Sequence, residues 1–372
     1  MRIAFMVSSY PPAIGGLERH IADLAEELAS LGHTVGVFTL APRSRPMRRE
    51  NGVEVCRYAE IVRVGDVLGL PTAPALRRLR EEVKAWRPDA ISVHTRFFPP
   101  TWFGVLLARR LGVPSVLTEH GSGHVVSEST LVHVASRVVD GTLGRWALRR
   151  ASLVLGISRG ATAFVDRLAG RRAVLFQNAV RLSAGASGGP HPERIVFLGR
   201  MVGGKGWDTF LEVAGELRRR GVAFDAVMLG DGPELEQARA EVARLALADV
   251  VDVRGGVSHA EVYEALRSAV LVNPTLLAEG FQTTVMEAVA AGGRVVTYAG
   301  SQSGEALVED GAPVTIVPRG DKAALCEAVL AELAQPSAPF AAERFAQWTW
   351  PERAREYEAL LAGLTAGQPG RD

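Results

Sequence analysis

The chain has little of several things that mark particular protein classes. Its 372 residues include only 2 cysteines. Cys56 and Cys326 are too far apart in sequence to read as a disulfide framework, and they suit a reducing compartment. No run approaches the roughly 20 apolar residues of a membrane-spanning helix. The apolar start Met1-Arg2-Ile3-Ala4-Phe5-Met6-Val7 meets Ser8, Ser9, Pro11 and Pro12 before a signal-peptide core is complete. A cytoplasmic location is therefore expected. Net charge is small too, at +1, and no nucleic-acid partner is expected. That balance conceals an asymmetry: residues 1–180 hold 24 Lys+Arg against 15 Asp+Glu, and the remainder 18 against 26. A basic half joined to an acidic half points to an anionic partner or surface on one side.

At this length two domains are expected. The first half alternates strand-like runs (Ile3 to Val7, Thr34 to Leu40, Ala90 to Val93, Ser115 to Thr118, Leu153 to Ile157) with helical patterns at Gly16 to Leu31, Ala75 to Trp86, Trp102 to Leu111 and Val138 to Arg150. This alternation predicts a parallel sheet covered on both faces. A small, polar stretch from Leu182 to Pro192 reads as a linker. The pattern then restarts, with strands at Arg194 to Leu198, Ala226 to Leu229, Val250 to Val253, Leu271 to Asn273, Arg294 to Thr297 and Val314 to Ile316. The tail around Trp348 and Trp350 introduces a last helix, with Pro351 in its first turn and the tryptophans as packing anchors.

Ligands of open parallel sheets bind outside the carboxyl ends of the strands, so the loops that follow strands are the candidate sites. Glu279 and Glu287 stand eight residues apart across Gly280-Phe281-Gln282-Thr283-Thr284, with a helix start between them. Eight helical residues span about 12 Å, and the amides at a helix start favour an anion. Hydroxyl groups at each end with phosphate between them describe a nucleotide-sugar. Gly199 to Gly206 places Arg200 and Lys205 on one glycine-rich loop, able to neutralise a diphosphate. Read as G-x-x-x-x-G-K the loop also mimics a P-loop, but Gly206 stands where a magnesium-holding Ser or Thr is needed. Gly15 and Gly16 open a helix after the first strand, as a close backbone approach to a ligand or as a plain turn. Gly230, Arg254 and Gly255 lie at two further strand ends, where a base could be read or a turn made. His120 follows a strand in Thr118-Glu119-His120-Gly121-Ser122-Gly123-His124. The glycines argue against a helix and so against a zinc pair with His124. No Asp-x-Asp occurs, so the paired-carboxylate magnesium clamp for a diphosphate is missing and no metal is expected.

These segments, in this order, resemble the retaining glycosyltransferases of family 4. That resemblance implies the GT-B fold: two Rossmann-like, doubly wound parallel-sheet α/β domains facing a central cleft. It places an acceptor domain at 1–182, a donor domain at 183–350, and a helix and tail at 351–372 crossing back onto the first. It also implies roles. Arg200 and Lys205 would hold the donor pyrophosphate, with Gly15, Gly16 and the amides of Phe281, Gln282, Thr283 and Thr284. Glu287 would hold the ribose, Glu279 the donor sugar, and His120 would lie near the reacting sugar. Transfer would retain anomeric configuration without a metal or cofactor, the nucleoside diphosphate sugar being a co-substrate. Two departures stand out: Asn178-Ala179-Val180-Arg181 lacks the family's glycine and acid, so no functional residue is placed there. Gln282-Thr283-Thr284 replaces smaller residues.

The acceptor is expected to be a glycan, glycolipid or small molecule, in cell-envelope or polysaccharide synthesis or in secondary metabolism. The basic helix Ala75 to Trp86 and the run Arg43 to Arg49 suggest peripheral contact with anionic lipid at the inner face of the cell membrane. A P-loop NTPase and a sugar-binding pseudoenzyme are the rival readings.

Overall fold

Short β-branched runs and amphipathic helices sort this chain into two units, Met1–Ala179 with Trp350–Asp372, and Val180–Thr349. The computed structural model describes all residues except 14, 65–67, 125–129, 183–188, 278, 337 and 367–372. The expected division at 182/183 and most of the linker fall on 183–188, outside the described residues.

The first unit contains β1 (Arg2–Val7), α1 (Gly16–Ser30), β2 (Thr34–Ala41), β3 (Arg45–Glu50), β4 (Val53–Val64), β5 (Leu68–Pro71), α2 (Ala73–Trp86), β6 (Ala90–His94) and α3 (Pro99–Leu111). It continues through β7 (Ser115–Glu119), α4 (Thr130–Val139), α5 (Arg145–Arg150), β8 (Leu153–Gly156), α6 (Arg159–Ala169) and β9 (Val174–Leu175). The sheet runs β3-β4-β2-β1-β6-β7-β8-β9, with β5 also on β4. Every pairing is parallel except those of β3 and β5. The strands β1, β6 and β7 are buried along nearly their whole length, as a sheet covered on both faces requires.

One expectation needs correction here, the single helix over Val138 to Arg150, and two features of the sheet edge went unforeseen. The basic run Arg43 to Arg49 is largely the strand β3, exposed at the sheet edge. Positive charge on an edge strand discourages pairing with another chain. The strand β4 went unrecognised because polar residues interrupt its apolar pattern; Arg57 is buried by donating to both Glu50 carboxylate oxygens, at 2.5 and 2.9 Å. The single helix expected over Val138 to Arg150 is broken by a π-helical turn at Asp140–Gly144. Such turns re-aim side chains, and this one buries Asp140 completely.

The second unit holds β10 (Arg194–Leu198), α7 (Trp207–Arg219), β11 (Asp225–Leu229), α8 (Leu235–Arg244), β12 (Val251–Gly255), α9 (His259–Leu266) and β13 (Val270–Asn273). There follow α10 (Thr283–Ala290), β14 (Arg294–Tyr298), α11 (Gln302–Glu309), β15 (Val314–Val317), α12 (Lys322–Ala334) and α13 (Ala342–Phe345). Its sheet order, β12-β11-β10-β13-β14-β15, is wholly parallel. The order reverses direction at β10, so the loops after β10 and β13 flank a topological switch point.

The last helix, α14 (Trp350–Ala366), belongs to the first unit. It packs on α1 and buries Trp350, Ala354, Tyr357 and Leu361, the one-sided spacing of an amphipathic helix. The two neighbouring tryptophans anchor different units. Trp348 donates to Asp310 at 2.8 Å and stacks on Phe281, whereas Trp350 packs edge-on against His20.

Candidate active site

In the second unit, three loops at strand ends are laced together by backbone. Gly199 donates its N–H to Leu229 O, Met201 to Asp231 O, and Gly230 to Gly255 O, at 2.8–3.0 Å. Gly230 is required: at φ 135 a Cβ would lie 1.9 Å from Gly199 O. Gly230 and Gly255 therefore meet, while Arg254 points to solvent and pairs with Asp252 at 2.7 Å.

The loop between β10 and α7 carries the cations. Lys205 Nζ donates to Glu279 Oε1, bringing together two residues 74 positions apart in sequence. Arg200 is exposed. Gly206 sits at φ 88, and a Cβ there would lie 2.4 Å from Pro274 O. A serine or threonine at this position has no room, so the P-loop reading fails on steric grounds as well as on sequence.

The helix α10 starts with no side-chain cap, leaving its first amides for another acceptor. Gln282, at the cap position, turns inward instead: its Oε1 accepts from Asn273 Nδ2 at 3.1 Å and Ser301 Oγ at 2.7 Å. Phe281 is likewise buried, stacked on Trp348. Both side chains are structural, so only their backbone is available to a ligand. Thr283 and Thr284 remain half-buried at the helix entrance. Glu287, one turn on, lies 3.4 Å from His259 Nε2. His259 begins α9 behind a capping box formed by Ser258 and Glu261; no spacing rule links it to Glu287, 28 positions on.

The first unit arranges its strand ends differently. Gly15 is extended, at φ 175 and ψ 163, so its lack of a side chain serves space, not backbone strain. The Glu18 carboxylate, which accepts from Ser9 Oγ, occupies the position a Cβ would take. Gly16 faces open space. After β6, Arg96 is buried with full pairing: Nη1 reaches Glu119 Oε1 and Nε reaches Asp140 Oδ1, both at 2.9 Å. His124 Nδ1 closes on Asp140 Oδ2 at 2.6 Å. Sequence reading missed Arg96, whose role depends on a carboxylate 44 positions away.

His120 does not pair with His124; it joins His94 and His20. His94 Nδ1 and His120 Nε2 are 3.1 Å apart, and the His20 and His120 rings meet edge to face at 4.6 Å. His20 Nδ1 in turn bonds Asn178 Oδ1 at 2.9 Å. Asn178, to which no role was assigned, therefore orders a ring of this cluster. Burial pushes the His20 pKa down to about 4 and holds His94 and His120 well below the usual imidazole value, so all three are neutral at pH 7.

Residues 14–184 match Glycosyltransferase Family 4 and residues 192–335 match Glycosyl transferases group 1. A 2-deoxystreptamine N-acetyl-D-glucosaminyltransferase of Streptomyces fradiae is 30% identical over 353 residues, spanning 85% of this chain and 82% of the relative. The chain is a family 4 glycosyltransferase. A glycogen synthase of Mycobacterium tuberculosis is 25% identical over 91% of this chain and 87% of its own. Among solved structures, Anabaena HepE in complex with UDP superposes with a TM-score of 0.72 at 17% identity, covering 98% of this chain and all of that one; this likeness is one of fold, the GT-B fold. As a member of this family the glycosyltransferase moves a hexosyl group from a nucleoside diphosphate sugar to an acceptor. Its cations and carboxylates gather on the second unit, and its buried histidines on the first.

Proposed function

We propose that this glycosyltransferase works with retention of anomeric configuration and without a divalent metal at the diphosphate. The observation that carries this reading is the Lys205–Glu279 pair beside the uncapped start of α10. Without donor, each neutralises the other. With donor, Lys205 and Arg200 turn to the diphosphate, the α10 amides share its charge, and Glu279 is released to accept sugar hydroxyls. Glu287 holds the ribose. The leaving phosphate oxygen takes the acceptor proton on the same face from which it departs, so the protein's task is positioning and charge stabilisation. Uridine diphosphate is the favoured carrier, on the strength of the UDP bound by the HepE fold relative.

The acceptor is a cell-envelope glycolipid or polysaccharide hydroxyl. In support, α2 and α3 border a cavity of about 340 Å³ lined by Met6, Leu79, Phe103 and Leu107, with Arg77, Arg80 and Arg110 on it, a combination suited to an anionic amphiphile. No helix among the described residues is long and apolar enough to cross a membrane, and the contact proposed here is peripheral. The Streptomyces fradiae relative favours a second reading, a small aminocyclitol-like acceptor.

A thermal-shift panel of nucleotide-sugars tests the donor, since a true donor raises Tm by mass action. NMR of the product anomeric centre, with transfer measured in EDTA, tests the mechanism. An inverted product or complete loss of transfer in EDTA overturns it. Sedimentation with anionic vesicles separates the lipid acceptor from the small one.

A further inference from the structure

Three imidazoles converge at the carboxyl ends of β6 and β7: His20 from α1, His94 as the last residue of β6, and His120 directly after β7. One nitrogen from each lies within 4.8 Å of the other two. His20 and His94 are almost wholly buried, and His120 is half-buried.

Hydrogen bonding fixes which nitrogen of His20 is left with a free lone pair. Asn178 Oδ1 accepts the backbone N–H of Ala179 at 3.0 Å, so that atom is the amide oxygen. The proton between it and His20 Nδ1 therefore belongs to the imidazole. A neutral ring then carries a bare lone pair on Nε2, and this atom is buried without any hydrogen-bond partner. Orphaned buried acceptors are rare, because desolvation is not offset. On the far side of His94, Nε2 meets Ser92 Oγ at 3.2 Å, and Ser92 Oγ accepts from Tyr357 at 2.8 Å. The outer nitrogens of His20 and His94 are thus held by oxygen groups, which is how metal-binding histidines are oriented.

We propose that His20 Nε2, His94 Nδ1 and His120 Nε2 bind one zinc-class ion. Tetrahedral zinc with nitrogens at about 2.0–2.1 Å sets them roughly 3.4 Å apart; the His94–His120 separation of 3.1 Å already approaches this. Three neutral imidazoles and no carboxylate suit Zn²⁺ or Co²⁺ and do not suit Mg²⁺ or Ca²⁺. The hydrogen now shared between His94 and His120 moves to the outer nitrogen of the ring that holds it, so the three rings stay neutral and no proton is lost. This proposal does not rest on the mechanism proposed above.

The test uses untagged, chelator-treated full-length protein titrated with Co²⁺, read by the visible d–d bands of tetrahedral cobalt, and with Zn²⁺ against a chromophoric chelator. One ion per chain is expected, with Mg²⁺ failing to compete. Affinity should fall at least 100-fold in His94→Gln and in His120→Gln, and about 10–100-fold in Asn178→Ala, which frees the His20 ring. Far-UV circular dichroism checks each variant; His120→Gln, at the half-buried position, keeps the test valid if the others unfold. Absence of a stoichiometric site in the wild type, or uptake unchanged in folded His120→Gln, overturns the proposal.

Discussion

Arg96 and Arg200 both follow strands in parallel sheets, yet their surroundings are opposite. Arg96 is 2% exposed and closed in by Glu119, Asp140 and the face of Phe164. Arg200 stands in solvent, and its neighbour Lys205 is held by a single carboxylate that is itself a quarter exposed. The first unit spends its charge on fixing a loop, whereas the second keeps charge ready for a ligand. A buried guanidinium with two carboxylates cannot be recruited without leaving those carboxylates unpaired. A single half-buried pair open to solvent contributes less to stability and can be exchanged for a phosphate.

Substitutions can break that contrast, and their expected effects descend in size. Arg96→Ala should destabilise the protein by about 3–5 kcal/mol, because Glu119 and Asp140 remain buried without their cation; urea denaturation measures it, and a loss under 1 kcal/mol would erase the distinction. Lys205→Ala should do the reverse, cutting kcat roughly 10²–10³-fold while shifting the unfolding midpoint very little. Near-normal turnover in that variant would remove the phosphate role. Gly206→Ser should cost about 1–3 kcal/mol through its positive φ and the Pro274 carbonyl and create no ATPase activity; a stable, ATP-hydrolysing variant would revive the P-loop reading. Glu287→Gln should raise donor KM about tenfold, equivalent to about 1.4 kcal/mol of lost binding, with kcat less affected.

A further expected effect concerns pH. In chelator-treated protein His20 has a folded pKa of about 4 against an ordinary 6.5. Between those values the unfolded chain binds the proton and the folded one does not, so stability is full above about 6.5 and falls as pH drops toward 4. Denaturation midpoints at pH 7.5 and 5 should show this loss, and His20→Gln should lessen it, leaving the share of His94 and His120.

Legibility followed the range of the interaction. The elements β1, α1, β6, β7, β10 and the start of α10 were readable because apolar periodicity and helix-start chemistry are local. The edge ribbon β3 and β4 was not, because Arg57 is buried only through Glu50 and the carbonyl of Pro11 on another segment. The π turn at Asp140 has no sequence signature; its carboxylate is drawn inward by Arg96. For the site, Glu279, Lys205 and Arg200 were named from residue type and loop position. The histidine cluster was missed because its members stand at 20, 94 and 120, with an orienting asparagine at 178.

The sequence by itself determined the two parallel-sheet units, the loops that end their strands and the family, because these depend on local pattern and ordered motifs. Only the tertiary structure decided that Lys205 meets Glu279, that Gln282 and Phe281 turn their side chains into the core, that position 206 has no room for a hydroxyl, and that three distant imidazoles face one another. Those outcomes depend on which strand ends the sheet order places side by side, and neighbours in space are not marked in any local stretch of chain.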